Sequence, residues 1–574
     1  MNFPFHLKDA RAGGLIACAC LFLSVILAGL ATNPFFEMGV NDDWAYSQFA
    51  FSFAQTGQIA YVGGTTTAAL IQTPYGALLT KLFGGSFVTH RLGTLFVSGF
   101  IPILVYRLGL LFALEREMAF FGAMTVGLSP LFLPHAVSFM TESYGCVFLL
   151  AAIYAGVRAV LETAPFRAAA WFSLAMAISF LGGMNRQVVW VTGPPIAVAY
   201  CFSKRKQHWQ ALWGLAFLIA FFGGCWLVLT WLQQQPGFFY EMVGLQILGS
   251  GPAELRAVVG GYAALLLTAA VFAIPALSAG VTLTRSRPAE MLPAVLAAGI
   301  VFAASYWTSR LIFPYLPNVV TEYGLFRPGL LLPGGLPVIL PATIRRLVTA
   351  AAVGLSFALL GNWFSTAREA IRKSRQALAS CFRGEDATAA AIFIPVGTVA
   401  GYLFALLGRA KTSELFDRYS LPILPLLVIG ILGAWQNRGV RSPALAAWAI
   451  LILFGVHGVA ITHDHFEQVR AKLRAKKLLE TAKTPRERIL AGYEDDMLTQ
   501  VALDGMVYLG PDLPAQAQAV SLHVWYLKMV PRIAPLYFLA TSNLRHMSTC
   551  GFEPVHYSTW LPPRDRQIWI LCPE

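Results

Sequence analysis

The sequence predicts an all-α, polytopic membrane protein with its amino terminus in the cytoplasm and its carboxyl terminus outside. Three observations carry this. Of 574 residues, 57% are hydrophobic and 12% charged, where a soluble domain carries roughly 25% charge. Apolar runs near the roughly 20-residue length of a bilayer span recur along the chain. The connectors between them alternate, one set short and rich in Lys and Arg, the other longer and mixed. The formal charge of +13 fits this picture, because the cations collect between apolar runs. It calls for no nucleic acid.

The first run, 13–31, is longer than a signal-peptide core and reads as a retained anchor. About thirteen spans follow from the pattern, centred near residues 23, 101, 124, 152, 176, 195, 221, 270, 299, 352, 397, 427 and 452. The connectors "HLKDAR", "EREM", "APFR", "SKRKQ", "TRSR", "AREAIRKSRQ" and "QNRGVR" are placed in the cytoplasm. The outer set holds "GVNDDWAYSQFAFSFAQTG", "PHAVSFMTES", "GGMNRQ", "QQQPGFFYEMVGLQILGSG", a Pro/Gly-rich segment over 308–341, and "GRAKTSELFDRYS". A helical stretch, "THDHFEQVRAKLRAKKLLE", leads into a polar tail in which "ILAGYEDD" opens a small α/β domain. The chain thus divides into a transmembrane part, 1–462, with its first outer loop at 34–87, and an extracytoplasmic domain, 463–574. Cys550 and Cys572 alone among eight cysteines lie in the polar tail, and pair if that tail is outside. No CxxC pair marks a zinc site.

In the first outer loop, Ala45, Phe49 and Phe53 fall at helical spacing with a wet opposite face, and Gly57 stops the pattern. A second piece runs through "AALIQTPYGALLTKLFG". Both are too short or too polar to span, so they are placed in the interface plane. Asn41 or Asp42 is the expected N-cap, and on spacing alone capping and chemistry explain the Asp42–Asp43 pair equally well. Glu142 lies at the mouth of a span. Arg186, Arg409, Lys411 and the Arg418–Tyr419 pair are cations and a phenol on the face where the positive-inside rule disfavours cations. Little charge lies mid-span, whereas an ion-coupled transporter keeps acids near the midplane. There is no Walker loop or dinucleotide fingerprint. A lipid-linked phosphate donor fits, with its tail between spans and its head at the interface.

These motifs resemble the GT-C superfamily of integral-membrane glycosyltransferases, in particular the branch of lipid A aminoarabinose transferases and protein O-mannosyltransferases. "DDWAY" is similar to that branch's acidic pair followed by Tyr, with Asp42 in the catalytic place and Tyr46 in the tyrosine place. Glu142 looks like the second acidic position. "NRQVVWVTGPP" is similar to the family's basic residue before a proline, with Arg186 replacing Lys and Gln187 replacing Gly. "RYSLPILPLL" resembles its Arg-Tyr-x-x-Pro stretch. "FPYLPNVVTEYGLFRPG" has no counterpart there.

The resemblance implies a GT-C-like fold and transfer of a sugar from a polyprenyl-phosphate donor to a hydroxyl on a glycan, lipid or protein, with the inversion usual for such enzymes. Asp42 is then the general base, with Asp43 and Glu142 orienting hydroxyls. Arg186 and Arg418 bind the donor phosphate, assisted by Arg409 or Lys411, and Tyr46, His135, Gln187 and Tyr419 contact substrate. The expected site is on the extracytoplasmic face of a bacterial inner membrane. No cofactor is required; a divalent ion between such acids belongs to the oligosaccharyltransferase branch, and the mannosyltransferase-like motif argues against requiring one. The rival reading is a lipid-linked sugar flippase or polysaccharide exporter, which has less use for an acidic pair on an interfacial helix.

Overall fold

The computed structural model describes residues 13–238, 251–281, 288–329, 331–360, 387–411, 414–508 and 525–574. Each of the thirteen expected span centres falls on a helix. Among the described residues, nine helices are long and apolar enough to cross a membrane, which makes the chain a multi-pass membrane protein. Of the four other centres, three fall on short helices, Arg116–Gly127 (12 residues), Gly193–Ser203 (11) and Leu424–Gln436 (13), which at 1.5 Å per residue reach at most about 20 Å of a roughly 30 Å core. The fourth, near 299, falls on Pro288–Thr308, whose apolar part is Leu292–Thr308. Gln187–Thr192, a 3-10 turn, runs directly into Gly193–Ser203 and lengthens that segment. The connectors "HLKDAR", "TRSR" and "AREAIRKSRQ", and most of "QQQPGFFYEMVGLQILGSG", lie outside the described residues.

The loop at 34–87 carries two helices, Asp43–Thr56 and Gln72–Phe83. The first ends at Gly57, whose positive φ of 73° closes the helix. It buries Trp44, Ala45, Phe49 and Ala50, the face that helical spacing marks as apolar. Its entry is fixed by Arg91, a buried guanidinium at the start of the Phe87–Leu111 span. Arg91 donates to the carbonyls of Pro34 (2.6 Å), Phe36 (3.1 Å) and Met38 (2.7 Å). Three alternate carbonyls are thereby satisfied at one point, and the chain is delivered to Asn41 in a set direction.

The Pro/Gly-rich segment folds as a short hairpin, Val320–Thr321 against Gly324–Leu325. Buried Asp417 holds it, accepting from the backbone amides of Val319 (3.0 Å) and Val320 (2.7 Å) and from that of Arg418 (2.7 Å).

A single helix, Leu445–Thr481, crosses residues 462 and 463 without a break and carries the C-terminal domain. That domain holds the helix Tyr493–Asp504 and a five-stranded sheet. Ile489–Leu490 pairs parallel with Tyr537–Ala540, which pairs antiparallel with Pro563–Pro573; Val555–Trp560 and Met547–Ser548 also pair with that last strand. Asp464 accepts from the amides of Trp560 (2.7 Å) and Leu561 (2.8 Å), Arg474 donates to the His556 carbonyl (2.9 Å), and His463 stacks on Trp560. The sheet is therefore stitched to the helix by its own turn. Cys550 and Cys572 form a disulfide, with Cα atoms 5.8 Å apart.

Candidate active site

Asn41 sits at positive φ (56°), a backbone state that Asn tolerates better than most residues, just before the helix Asp43–Thr56. Asp42 occupies the N-cap position of Asp43–Thr56 yet makes no capping bond. Its side chain leaves the helix instead. Oδ2 lies 3.5 Å from Arg418 Nη1, and Oδ1 accepts from the Tyr493 hydroxyl at 2.8 Å.

Asp43 turns the other way. Both of its oxygens meet backbone amides: Oδ1 accepts from that of Val40 and Oδ2 from that of Phe139 at 3.2 Å. Burial pushes its carboxyl up to about 7, against the opposing charge of Arg91 and the two amides. It ties the outer helix to the segment before Glu142.

Around Asp42 lie three more charges. Glu142, in the first turn of Thr141–Leu161, meets Arg186 Nη1 at 2.8 Å and Arg418 Nε at 3.7 Å through Oε1. Arg186 caps the end of Pro165–Asn185 and also donates to Thr141 Oγ1 at 2.8 Å. Its aliphatic stem crosses Gly145, where a Cβ would stand 2.9 Å from Arg186 Cδ. Only glycine leaves that path open. Two guanidinium groups and two carboxylates thus neutralise one another in a largely buried cluster, the condition under which buried charge is tolerated. Asp42 is the most accessible of the four, at 24% side-chain exposure against 14% for each Arg and 4% for Glu142. Burial alone would lower Arg418, but Glu142 and Asp42 raise it well above its ordinary range. Glu142 Oε2 is buried without a hydrogen-bond partner.

The other expected residues divide. Tyr46 faces the cluster: burial, then Asp42 and Glu142, raise its phenol far above the usual value. His135 is buried beside it, with Nε2 unpartnered; burial lowers its imidazole to about 4, with Glu142 pulling upward and Arg418 and Arg186 downward. Gln187 donates to the Thr66 carbonyl at 3.1 Å, bracing the outer loop on the Arg186 turn. Tyr419 packs in an apolar cluster with Tyr402, whose hydroxyl donates to the Tyr419 carbonyl at 2.9 Å. Arg409 lies over the Tyr419 ring, 5.5 Å from its centroid. Lys411 pairs with Glu254 at 3.2 Å. That pairing ties it to Pro252–Phe272. Among the described residues, no three His, Cys, Asp or Glu side chains group as a metal-holding set.

Among solved structures, the chain is similar to ArnT from Cupriavidus metallidurans bound to undecaprenyl phosphate, at 15% identity over 98% of each chain with a TM-score of 0.35. The apo state of that protein gives 15% identity, the same coverage and a TM-score of 0.34. The oligosaccharyltransferase from Archaeoglobus fulgidus in its apo form is similar at 13% identity, with 79% of this chain and 56% of that chain covered and a TM-score of 0.36. No family model matches the chain, and no curated protein does.

Sequence reasoning missed the contribution of the C-terminal domain. Tyr493 reaches Asp42 across 451 positions, and neighbouring Glu494 accepts from the Asn41 amide at 3.1 Å while pairing with Lys472 at 3.0 Å. The run "GYEDD" was a visible signal, four polar residues opening a helix, but nothing in its spacing says what it faces.

Proposed function

We propose that this chain is a membrane glycosyltransferase that moves a sugar from a polyprenyl-phosphate donor to an acceptor hydroxyl, on the extracytoplasmic side of a bacterial inner membrane. One observation carries the reading: an accessible carboxylate, Asp42, shares a buried cluster with two guanidinium groups and a second acid, all drawn from segments predicted to lie on one membrane face.

Asp42 takes the proton from the acceptor hydroxyl as its oxygen bonds to the anomeric carbon. The bond from that carbon to the phosphate oxygen breaks, and its electron pair stays on the phosphate. Approach from the face opposite the leaving group inverts the centre. Before reaction, Asp42 and Glu142 offset the charge of Arg418 and Arg186. Once Asp42 is protonated, one positive charge is released just as the phosphate gains a negative one. The guanidinium fork suits two phosphate oxygens. Glu142 Oε2, buried and unpartnered, supplies an acceptor for a sugar hydroxyl. Because the cluster meets phosphate with cations, the reading requires no metal, and transfer is expected to persist in chelator; loss of transfer there would count against it.

The test is release of free polyprenyl phosphate from polyprenyl-phosphate-linked sugar in a detergent extract of native membranes, which supplies the acceptor hydroxyl and in which flipping has no meaning. Asp42→Asn is expected to leave expression intact and reduce release to a few per cent, since a positioned base contributes about 10²–10⁴-fold. Arg186→Ala is expected to weaken binding of undecaprenyl phosphate. Full release by Asp42→Asn would refute the assignment, and unchanged affinity in Arg186→Ala would move the phosphate site.

A further inference from the structure

The C-terminal domain touches the proposed base with one hydroxyl. Tyr493 is the first residue of the helix Tyr493–Asp504. Its backbone amide donates to the Leu331 carbonyl at 2.8 Å. Gly492, just before it, sits at φ +100°, and a Cβ there would stand 2.6 Å from the same carbonyl. Glycine is therefore required both by backbone angle and by space, and the Tyr493 ring is launched from a fixed point. The ring is wholly buried, edge-on to Trp44 at 6.3 Å and to Tyr526 at 5.5 Å between centroids. Its hydroxyl ends 2.8 Å from Asp42 Oδ1.

The domain's hold on this corner is more than one bond. Glu494 accepts from the amide of Asn41, the residue before the base, and is itself held by Lys472 of the long helix. Farther along, the Val507 amide donates to the Val62 carbonyl at 2.9 Å, so the domain also rests on the strap that follows the outer helix. Asp42 makes no cap bond to its own helix. Its direction is set from outside, by Arg418 on one oxygen and Tyr493 on the other.

We propose that Tyr493 is a positioning residue for the base, so that the catalytic centre is incomplete without the C-terminal domain. This rests on the reading of Asp42 given above. The phenol fixes one carboxylate oxygen, and the accessible edge of Asp42 is then presented to the acceptor in a single orientation. The guanidinium of Arg418 cannot do this alone, since at 3.5 Å it is a loose partner. A positioned base acts through geometry, and small misplacements are costly.

The experiment uses the full chain, expressed in native membranes in place of the wild-type copy, where donor and acceptor are both present. Formation of polyprenyl phosphate is followed, which does not depend on which sugar or acceptor is used. Tyr493→Phe keeps the ring between Trp44 and Tyr526 and removes only the hydroxyl. The expected result is a fall in the maximal rate of about 10-fold or more, with undecaprenyl phosphate affinity and thermal midpoint unchanged. In the double variant with Asp42→Asn, the second substitution adds no further loss, because the two act as a unit. A maximal rate within twofold of wild type, or a fall matched by weaker lipid binding or a lower midpoint, would overturn the proposal. Asp42→Asn alone separates the two claims: if it abolishes formation while Tyr493→Phe is silent, the base stands and the positioning role falls; if it is silent, both fall.

Discussion

At the scale of single residues, the decisive contrast is between two neighbours of the same type. Asp42 and Asp43 are about 100° apart on a helix, and only one turns toward the charged cluster. Asp43 meets two backbone amides and Asp42 meets Arg418 and Tyr493. The pair was legible in the sequence, but the division of labour was not, because it depends on an amide 96 positions away and a phenol 451 positions away. His135 offers a prediction at the same scale. Its imidazole is held near 4 by burial, beside Glu142, Arg418 and Arg186, against an ordinary value of 6.5. The unfolded chain therefore binds the extra proton between pH 6.5 and 4 and the folded chain does not. The contribution is complete above 6.5 and is lost as pH falls through that window, by up to about 3 kcal/mol. His135→Gln is expected to flatten the acid side of a plot of thermal midpoint against pH; identical slopes in both proteins would show that this imidazole titrates freely when folded.

At the scale of elements, the outer helix Asp43–Thr56 was readable from its apolar spacing and from Gly57, since both are local signals. What orients it was not local. Arg91 gathers the carbonyls of 34, 36 and 38, and Asp43 gathers the amides of 40 and 139, so the helix hangs between two polar clamps from distant spans. The Arg186 turn depends likewise on Gly145, whose lack of a side chain matters only once Pro165–Asn185 has folded back on Thr141–Leu161. The Asp43 clamp predicts a stability phenotype. Asp43→Ala leaves two buried amides without acceptors, at about 1–3 kcal/mol each. The expected outcome is a lower denaturation midpoint with undecaprenyl phosphate affinity kept in the folded fraction. A variant of wild-type stability that fails to turn over would return Asp43 to the chemistry.

At the scale of the whole molecule, composition and loop alternation sufficed for a multi-pass helical chain with a small sheet domain at its end. They could not say that this domain comes back to the first outer loop, because no periodicity encodes a contact between residues 42 and 493. That return has a consequence for sidedness. Tyr493 and Glu494 contact Asp42 and Asn41, so the C-terminal domain and the first outer loop must occupy the same side of the membrane, whichever side it is. The apolar part of Leu445–Thr481 places Ser442, just before that helix, on the other. Both Ser442 and Thr481 are exposed and so open to a reagent when replaced by cysteine. With the proposed orientation, Thr481→Cys reacts with a membrane-impermeant maleimide in intact cells, while Ser442→Cys reacts only after permeabilisation, each measured above the wild-type background. The reverse pattern would put Asp42 in the cytosol, where nucleotide-activated donors are at hand, and the case for a lipid-linked donor would lose its starting point.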